Sequence, residues 1–153
     1  MTRLKLKKRD KVKAIAFTFH PYIIWLLEER DRFFREELEM EFQNISSIEK
    51  YHAHVYFDEF TVEQAKVLCE EAGKRFSLIV GRMHHRPIGP HPSWSCQLAF
   101  DRSNHTDLLT WLALNRNDLT ILIHPLTGND LKDHTDYASW MGVPQELNLD
   151  VFK

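Results

Sequence analysis

From Glu49 to the end of the chain, segments with the two-residue period of a strand alternate with segments that have the 3.6-residue period of a helix. The strand-like segments are 51–57 ("YHAHVYF"), 76–83, 96–100 and 119–125, and helix-like segments begin near Thr61 and Ser103. The order is strand, helix, strand, strand, helix, strand. With right-handed crossovers it predicts an α+β fold of the ferredoxin-like type, a four-stranded antiparallel sheet with both helices on one face.

Local signals mark the first helix and the longest loop. Residues 61–64 ("TVEQ") have the pattern of a capping box, in which Thr61 and Gln64 satisfy the first free amides, and Gly73 is expected to end the helix. Residues 84–95 ("HHRPIGPHPSWS") contain several prolines, which disfavour both helix and strand. The strands on either side of this loop are therefore expected to form a hairpin.

Composition and charge favour one ordinary globular core with an appendage. The chain has 153 residues, of which 43% are hydrophobic, and its formal net charge is −2. No polycationic surface is expected, so nucleic acid is excluded as a partner. Cys69 and Cys96 are far apart and form no CxxC pattern, which favours a reducing, cytoplasmic compartment over a disulfide framework.

The N-terminal residues 1–48 differ from the rest of the chain. A basic start ("MTRLKLKKRDKVK") precedes an apolar run, 14–27, which is too short to span a membrane and lacks a small-residue cleavage site. We expect no integral membrane association, and an amphipathic helix from about Pro21 to Phe42. Mitochondrial targeting or contact with a membrane surface stays open because of the basic start. The predicted domain is 49–153.

The first strand carries two histidines on one face. Its period of two predicts that one side, the apolar one, packs under the helices, and that the other side carries polar rings. The two sets are Ala53, Val55 and Phe57 on the helix side, and His52, His54 and Tyr56 on the opposite, open side.

The last strand adds a third histidine to that face. Its alternation places Ile121 and Ile123 under the helices, and His124 on the open side. If the strand order is 4-1-3-2, the last strand runs antiparallel beside the first, and His124 approaches His52. His91, held between two prolines, is expected to fold back over the same face.

Nine histidines are a high number for this length, and their placement predicts a metal site. Neutral imidazoles on rigid strands are the ligands that Fe(II), Zn(II), Cu(II) and Ni(II) prefer. Spacing alone leaves the metal open, as well as a purely hydrogen-bonding role for the same residues. In the tail, His134 follows a turn-prone "TGND", and Asp133 beside it is a further candidate to orient a histidine or bind metal.

Four stretches in this order, "HAHVYFD", "VGRMHHRPIGPHP", "NRNDLTILIHPLTGND" and "DHTDYASWMG", resemble the small DOPA 4,5-dioxygenase family over residues 49–153. The resemblance implies a self-associating ferredoxin-like protein, most simply a homodimer. It further implies a non-haem iron(II) enzyme that opens the ring of L-DOPA between carbons 4 and 5 with O₂, giving a product that closes to betalamic acid. The family's motif histidines fall on His52, His54, His91, His124 and His134.

Roles follow for the individual residues of this implied site. Fe(II) is expected on His52, His54 and His124, although a two-histidine, one-carboxylate set would need an acid, and none lies obviously on the open face. His91 is the candidate base for the catechol, and His134 completes the catalytic pair. Residues that orient the substrate are expected to be Tyr56, Arg82 and Arg86, since a guanidinium pairs well with a substrate carboxylate.

Two alternatives stay open from sequence. In one, the protein is a non-catalytic dimeric α+β module that binds a metal or a small molecule through the same histidines. In the other, the iron enzyme cleaves a catechol other than L-DOPA, because pocket contacts and not the fold decide the substrate.

Overall fold

Five strands form one antiparallel sheet in the computed structural model, which describes Trp25, Phe42 and residues 44–153. The strands are β1 (Lys50–Phe57), β2 (Ile79–Val80), β3 (Trp94–Asp101), β4 (Ile121–Pro125) and β5 (Ser139–Met141). Their order across the sheet is β2-β3-β1-β4-β5. The predicted antiparallel pairing of the first strand with the strand ending at Pro125 is confirmed, and it sets His52 opposite His124. The short edge strand β5 was not predicted.

Within residues 44–153, three α-helices accompany the sheet: α1 (Val62–Phe76), α2 (His105–Asn115) and the short α3 (Asp130–His134). Single turns of 3₁₀-helix lie at Ile45–Ser47, Arg102–Asn104 and Leu149–Phe152. In the part of the chain that the structure describes, none of the helices has the length and hydropathy of a membrane span. The predicted leader and amphipathic helix lie outside the described residues, apart from Trp25, Phe42 and 44–48, so the division at residue 48 stays a prediction.

The start and the end of α1 differ from the sequence prediction. Thr61 Oγ1 donates to Asp58 Oδ1 at 2.7 Å, and Gln64 Nε2 donates to the carbonyl oxygen of Arg116 at 3.3 Å, so no capping box forms. The helix also passes through Gly73 and ends at Phe76, and the capping residue Ser77 has a left-handed backbone at φ 54°. The predicted start was wrong because Asp58 and Arg116 engage the side chains of Thr61 and Gln64. The predicted end was wrong because Ser77, and not Gly73, adopts the left-handed conformation that caps the helix.

A hydrophobic core lies between the sheet and the helices α1 and α2. The apolar side of β1 and the matching side of β4 enter it as predicted. The core residues from the sheet and helices include Ala53, Val55, Phe57, Ala65, Leu68, Ala72, Leu98, Leu108, Leu112, Ile121 and Ile123. Cys69 and Cys96 are free thiols inside this core.

The opposite face of the sheet, which was predicted to be open, is covered. His54 and Tyr56 on β1, and Leu122 and His124 on β4, are all at most 5% exposed. The loop that carries His91 and the chain after β4 lie over this face. The prediction failed because nothing in the strand periods tells where the long loop and the tail fold.

Candidate metal centre

Five imidazoles converge on the covered face of the sheet, with His54 in their midst. The centroid of its ring lies 4.0 Å from that of His91, 5.3 Å from that of His124, 5.7 Å from that of His52 and 6.1 Å from that of His134. We call these five residues the histidine cluster. The structure thus brings together every histidine that the sequence selected for the metal and catalytic roles.

Regular structure delivers three members of the cluster. His52 and His54 share a face of β1 because they are two residues apart in an extended strand. The antiparallel register of β1 and β4 pairs His52 with His124. As a result, the ring centroids of His52 and His124 are 5.3 Å apart.

A tight turn delivers His91. Gly89 has φ 57°, a left-handed conformation that glycine adopts without strain, and the His91 amide donates to the carbonyl oxygen of Ile88 at 3.1 Å. The C-terminal segment braces the turn, because the Asn148 amide donates to the carbonyl oxygen of Pro90 at 2.9 Å. His91 is 6% exposed.

His134 is positioned by a second turn that side-chain hydrogen bonds hold in place. The neighbouring Asp133 forms part of these hydrogen bonds. The buried carboxylate of Asp133 accepts from the Thr127 amide at 2.9 Å and from the Thr127 hydroxyl at 2.5 Å. The Asn129 side chain accepts from the Lys132 amide at 3.1 Å and caps α3. Asp133 therefore shapes the segment that presents His134, and both of its carboxylate oxygens are engaged there.

Two groups of three histidines have nitrogen atoms within 4.8 Å of one another, and His54 belongs to both. They are His52, His54 and His124, and His54, His91 and His134. His54 Nε2 and His124 Nε2 are 3.2 Å apart. Two nitrogens that bind one ion at about 2.1 Å stand about 3.0 to 3.4 Å apart in octahedral or tetrahedral geometry, so this spacing fits a shared metal ion. Neither group contains an acid.

Backbone carbonyls fix which nitrogen of two histidines carries hydrogen. His124 Nδ1 lies 2.8 Å from the carbonyl oxygen of Pro125, and His134 Nδ1 lies 2.8 Å from that of Asp130. A carbonyl oxygen only accepts, so each Nδ1 donates and each Nε2 keeps its lone pair. Such a second partner is the usual way in which proteins orient metal-binding histidines.

Gln97 of β3 contacts the cluster and was missed by the sequence reasoning. Its Nε2 lies 3.2 Å from His52 Nε2. A metal ion at His52 Nε2 would displace this hydrogen bond. If the Gln97 amide is rotated, its Oε1 accepts a hydrogen bond from His52 Nε2, and His52 Nδ1 is then the atom that can bind a metal. The signal was present in the sequence, because Gln97 alternates with the core residues Cys96 and Leu98 and therefore lies on the histidine side.

Burial favours the neutral form of four rings of the cluster, His52, His54, His91 and His124. Loss of hydration, and after it the positive charge that neighbouring imidazoles can carry, lowers the pKa of His91 to about 4. The same two causes lower the pKa of His124 to about 4, although its hydrogen bond to the Pro125 carbonyl acts in the opposite direction. The same two causes hold the pKa of His54 well below its usual range, and burial and His134 lower the pKa of His52. Neutral imidazoles with available lone pairs are the form that binds metals.

Aromatic rings border the cluster. Tyr56 is buried, its Oη lies 2.7 Å from His91 Nδ1, and its ring stacks on Trp140 of β5 with centroids 5.8 Å apart. Phe152, near the C-terminus, lies 5.0 Å from the ring of His134. Trp140 and Phe152 were not predicted as neighbours of the site, because β5 and the C-terminal turn carry no strong period.

The two arginines predicted to bind substrate lie apart from these contacts. Arg82 and Arg86 are both exposed, and within the described residues neither side chain forms a hydrogen bond or an ion pair. Their assignment to the substrate stays a prediction.

Comparison with known proteins gives this geometry a context. The sequence profile of the Dopa 4,5-dioxygenase family matches residues 51–151. A DOPA 4,5-dioxygenase from Amanita muscaria is 29% identical over 113 residues, which are 68% of this chain and 50% of that protein. An uncharacterised 21.2 kDa protein from Botryotinia fuckeliana is 32% identical over 115 residues, which are 67% of this chain and 63% of that protein.

A solved structure resembles the chain as well. It comes from Nostoc punctiforme, where the protein is described as a candidate dioxygenase, and it superposes with a TM-score of 0.70 at 39% sequence identity. The similarity covers 72% of this chain and 96% of that one. The chain spans only half to somewhat under two thirds of the two curated relatives, whereas it accounts for nearly all of the solved structure.

Proposed function

Because the chain belongs to the Dopa 4,5-dioxygenase family, we propose that it is a non-haem iron(II) dioxygenase that opens the ring of a catechol with O₂. The observation that carries the proposal is the histidine cluster, a set of five converging and at least partly buried rings in which His54 and His124 are spaced for one ion. Burying an imidazole costs free energy unless its nitrogens are hydrogen-bonded or bind a metal, and several imidazoles gathered within reach of one ion are the ligands that such a metal prefers.

The metal in this proposal is held by His52, His54 and His124. The lone pair of His124 Nε2 is preset by its carbonyl partner, and His54 Nε2 is its nearest nitrogen neighbour. Fe(II), when bound, supplies Lewis acidity toward the catechol oxygens and the electrons that O₂ needs in order to react. An all-histidine set replaces the two-histidine, one-carboxylate set of other iron oxygenases.

The chain's own residues would bind the ring and handle its protons. The aromatic side chains of Tyr56, Trp140 and Phe152 border the cluster and would provide apolar contacts for the catechol ring. His91 and His134 are the two imidazoles outside the proposed ligand set, and their proposed role is to exchange protons or hydrogen bonds with the substrate oxygens. Exposed Arg82 and Arg86 are free to pair with a substrate carboxylate.

The substrate class proposed is a catechol with an acidic side chain, of which L-DOPA is one member. Cleavage of L-DOPA between carbons 4 and 5 would lead to betalamic acid. We also propose that the four strands β1 to β4 form a ferredoxin-like unit extended by β5, that the protein is a cytoplasmic homodimer, and that O₂ is the second substrate.

Oxygen uptake tests the proposal. The protein is loaded anaerobically with Fe(II) and mixed with air-saturated buffer and L-DOPA, caffeic acid, protocatechuate or plain catechol, while absorbance is followed for a yellow product. We expect stoichiometric oxygen loss with at least one catechol. His54→Ala should abolish it, and His85→Ala, which removes an exposed histidine outside the cluster, should not.

The alternative of a non-catalytic metal-binding module has a different outcome in the same experiment. It predicts that the wild-type protein retains metal in a His54-dependent manner but consumes no oxygen with any of the four catechols. That result would overturn the enzymatic proposal and leave the metal site in place.

A further inference from the structure

We infer that Tyr56 is a positioning residue that holds His91 in the tautomer with hydrogen on Nε2, so that His91 offers its surroundings an N–H donor and not a lone pair. Only the chemical use of that donor rests on the proposed function. The tautomer itself follows from the hydrogen bond between the two side chains.

The phenol of Tyr56 has one acceptor within reach. The side chain is 3% exposed, and in the described part of the chain its Oη has a single hydrogen-bonding partner, His91 Nδ1, at 2.7 Å. A buried O–H without an acceptor would be costly, so the phenol donates its hydrogen to Nδ1. A neutral imidazole that accepts at Nδ1 carries its own hydrogen on Nε2.

Both partners of this hydrogen bond are fixed in place. The Tyr56 ring is stacked on Trp140 with an angle of 18° between the ring planes, and burial raises the pKa of its phenol, which therefore stays protonated. The backbone of His91 is tied to Ile88 on one side, and its neighbour Pro90 is tied to Asn148. The interaction is thus a built feature of the fold.

The other imidazoles near His91 have the opposite arrangement. His124 and His134 donate from Nδ1 to backbone carbonyls and keep the Nε2 lone pair. A metal ion binds a lone pair, so the hydrogen bond from Tyr56 disfavours the group made of His54, His91 and His134. It favours the group that contains His124.

The N–H donor has a use in the proposed reaction. A catechol that loses its protons, and oxygen as it gains electrons, both develop negative charge on oxygen, which an imidazole N–H stabilises. The role of base assigned to His91 from sequence would require a free lone pair on Nε2. We therefore assign His91 as a hydrogen-bond donor to the substrate oxygens.

Nitrogen chemical shifts of the histidine rings test the tautomer without any need for activity. The full chain, labelled with ¹⁵N in its histidines, is examined by long-range ¹H–¹⁵N correlation spectroscopy before and after Zn(II) is added, and His91→Gln assigns the signals. We expect His91 to show hydrogen on Nε2 and a hydrogen-bonded lone pair on Nδ1, both retained with zinc. Hydrogen on Nδ1, or a zinc-induced shift of the ligand type at His91, would overturn the inference.

Two variants separate positioning from a general structural role. Tyr56→Phe should let His91 populate the other tautomer, while the signals of His124 and His134 stay in place and report an intact fold. Tyr51→Phe, which alters a tyrosine on the helix side of β1, should leave His91 unchanged. If Tyr56→Phe does not fold, His91→Gln decides: zinc affinity within about twofold of wild type supports the inference, and a loss of about tenfold or more refutes it.

Turnover gives the functional half of the inference. In the iron-loaded protein, Tyr56→Phe is expected to lower kcat about tenfold with a nearly unchanged KM, because the donor is lost part of the time. If the wild type consumes no oxygen but shows the expected nitrogen shifts, the proposed function fails and the tautomer assignment survives.

Discussion

His54 Nε2 lies 3.2 Å from His124 Nε2, although the two residues are 70 positions apart in the chain. The adjacent strands β1 and β4 create this contact, and the carbonyl oxygen of Pro125 fixes its chemistry. Without metal, His54 must donate from Nε2 to the lone pair of His124. A metal ion would replace that hydrogen bond by two metal–nitrogen bonds at nearly the same spacing.

Loss of the shared histidine should therefore remove the metal. Because His54 belongs to both groups of three, His54→Ala leaves neither complete, and we expect zinc affinity to fall at least about 100-fold by isothermal titration. His85→Ala is the matched control and should bind as wild type. The free energy of unfolding of metal-free His54→Ala should change by less than about 2 kcal/mol, since the ring is outside the main core. Equal zinc affinity in variant and wild type would refute the site.

The metal-free protein should lose stability as the pH falls below about 6.5. His91 and His124 have pKa values of about 4 in the folded chain and an ordinary value near 6.5 when unfolded, so between these values the unfolded state binds more protons. Above pH 6.5 the two rings are neutral in both states and the free energy of unfolding is at its full value. It decreases as the pH falls from 6.5 toward 4, because protons bind the unfolded state first. The decrease in the free energy of unfolding is about 3 kcal/mol at most for each histidine.

Urea denaturation at several pH values between 7.5 and 4 measures this effect. In His91→Gln the decline should be shallower, because one of the two groups is gone, whereas His85→Ala should follow the wild type. A free energy of unfolding that is constant across the range, with the cluster intact, would contradict the neutral state assigned to these rings.

Sequence periods were sufficient for the pairing of β1 with β4 and for part of the site. The alternation in β1 and β4 placed Ala53, Val55 and Ile121 in the core and His52, His54 and His124 together, because a strand leaves only two faces for its side chains. His91 was found by a different argument, since the two flanking prolines lower the entropy that is lost when the loop is held over this face. Its ring indeed lies against that of His54.

The rest of the site depends on contacts that no local pattern encodes. Trp140 and Phe152 reach the cluster through short or irregular segments, and the braces from Asn148 to Pro90 and from Asp133 to Thr127 join residues whose partners are set by tertiary folding. At Thr61 and Gln64, in contrast, a local pattern is present but the structure does not follow it. Their local capping pattern is overridden, because Asp58 and Arg116 compete for the same side chains.

Gly73 should be required inside α1, contrary to the usual benefit of alanine in helices. Gly→Ala in a helix normally stabilises by about 1 kcal/mol, but a Cβ at Gly73 would lie 2.4 Å from Val80 Cγ2 of β2. We expect Gly73→Ala to lower the free energy of unfolding by about 1 to 3 kcal/mol in thermal or urea denaturation.

A second substitution separates this clash from other causes. Gly73→Ala combined with Val80→Ala removes the opposing methyl groups and should recover most of the loss relative to Val80→Ala alone. If Gly73→Ala proves neutral or stabilising by itself, Val80 moves aside freely, and the close approach of α1 and β2 does not constrain residue 73.

Asp133 should matter for His134 through the turn between β4 and α3. Its buried carboxylate accepts two hydrogen bonds from Thr127, and an amide in its place would set an N–H group against one of those donors. We expect Asp133→Asn to lower the free energy of unfolding by about 2 kcal/mol and to perturb the His134 nitrogen signals more than those of His124. Asp136→Asn, which alters a nearby exposed acid, is the control. If zinc affinity fell about 100-fold while the stability and the His134 signals of the metal-free protein stayed unchanged, Asp133 would be a metal ligand and not a structural brace.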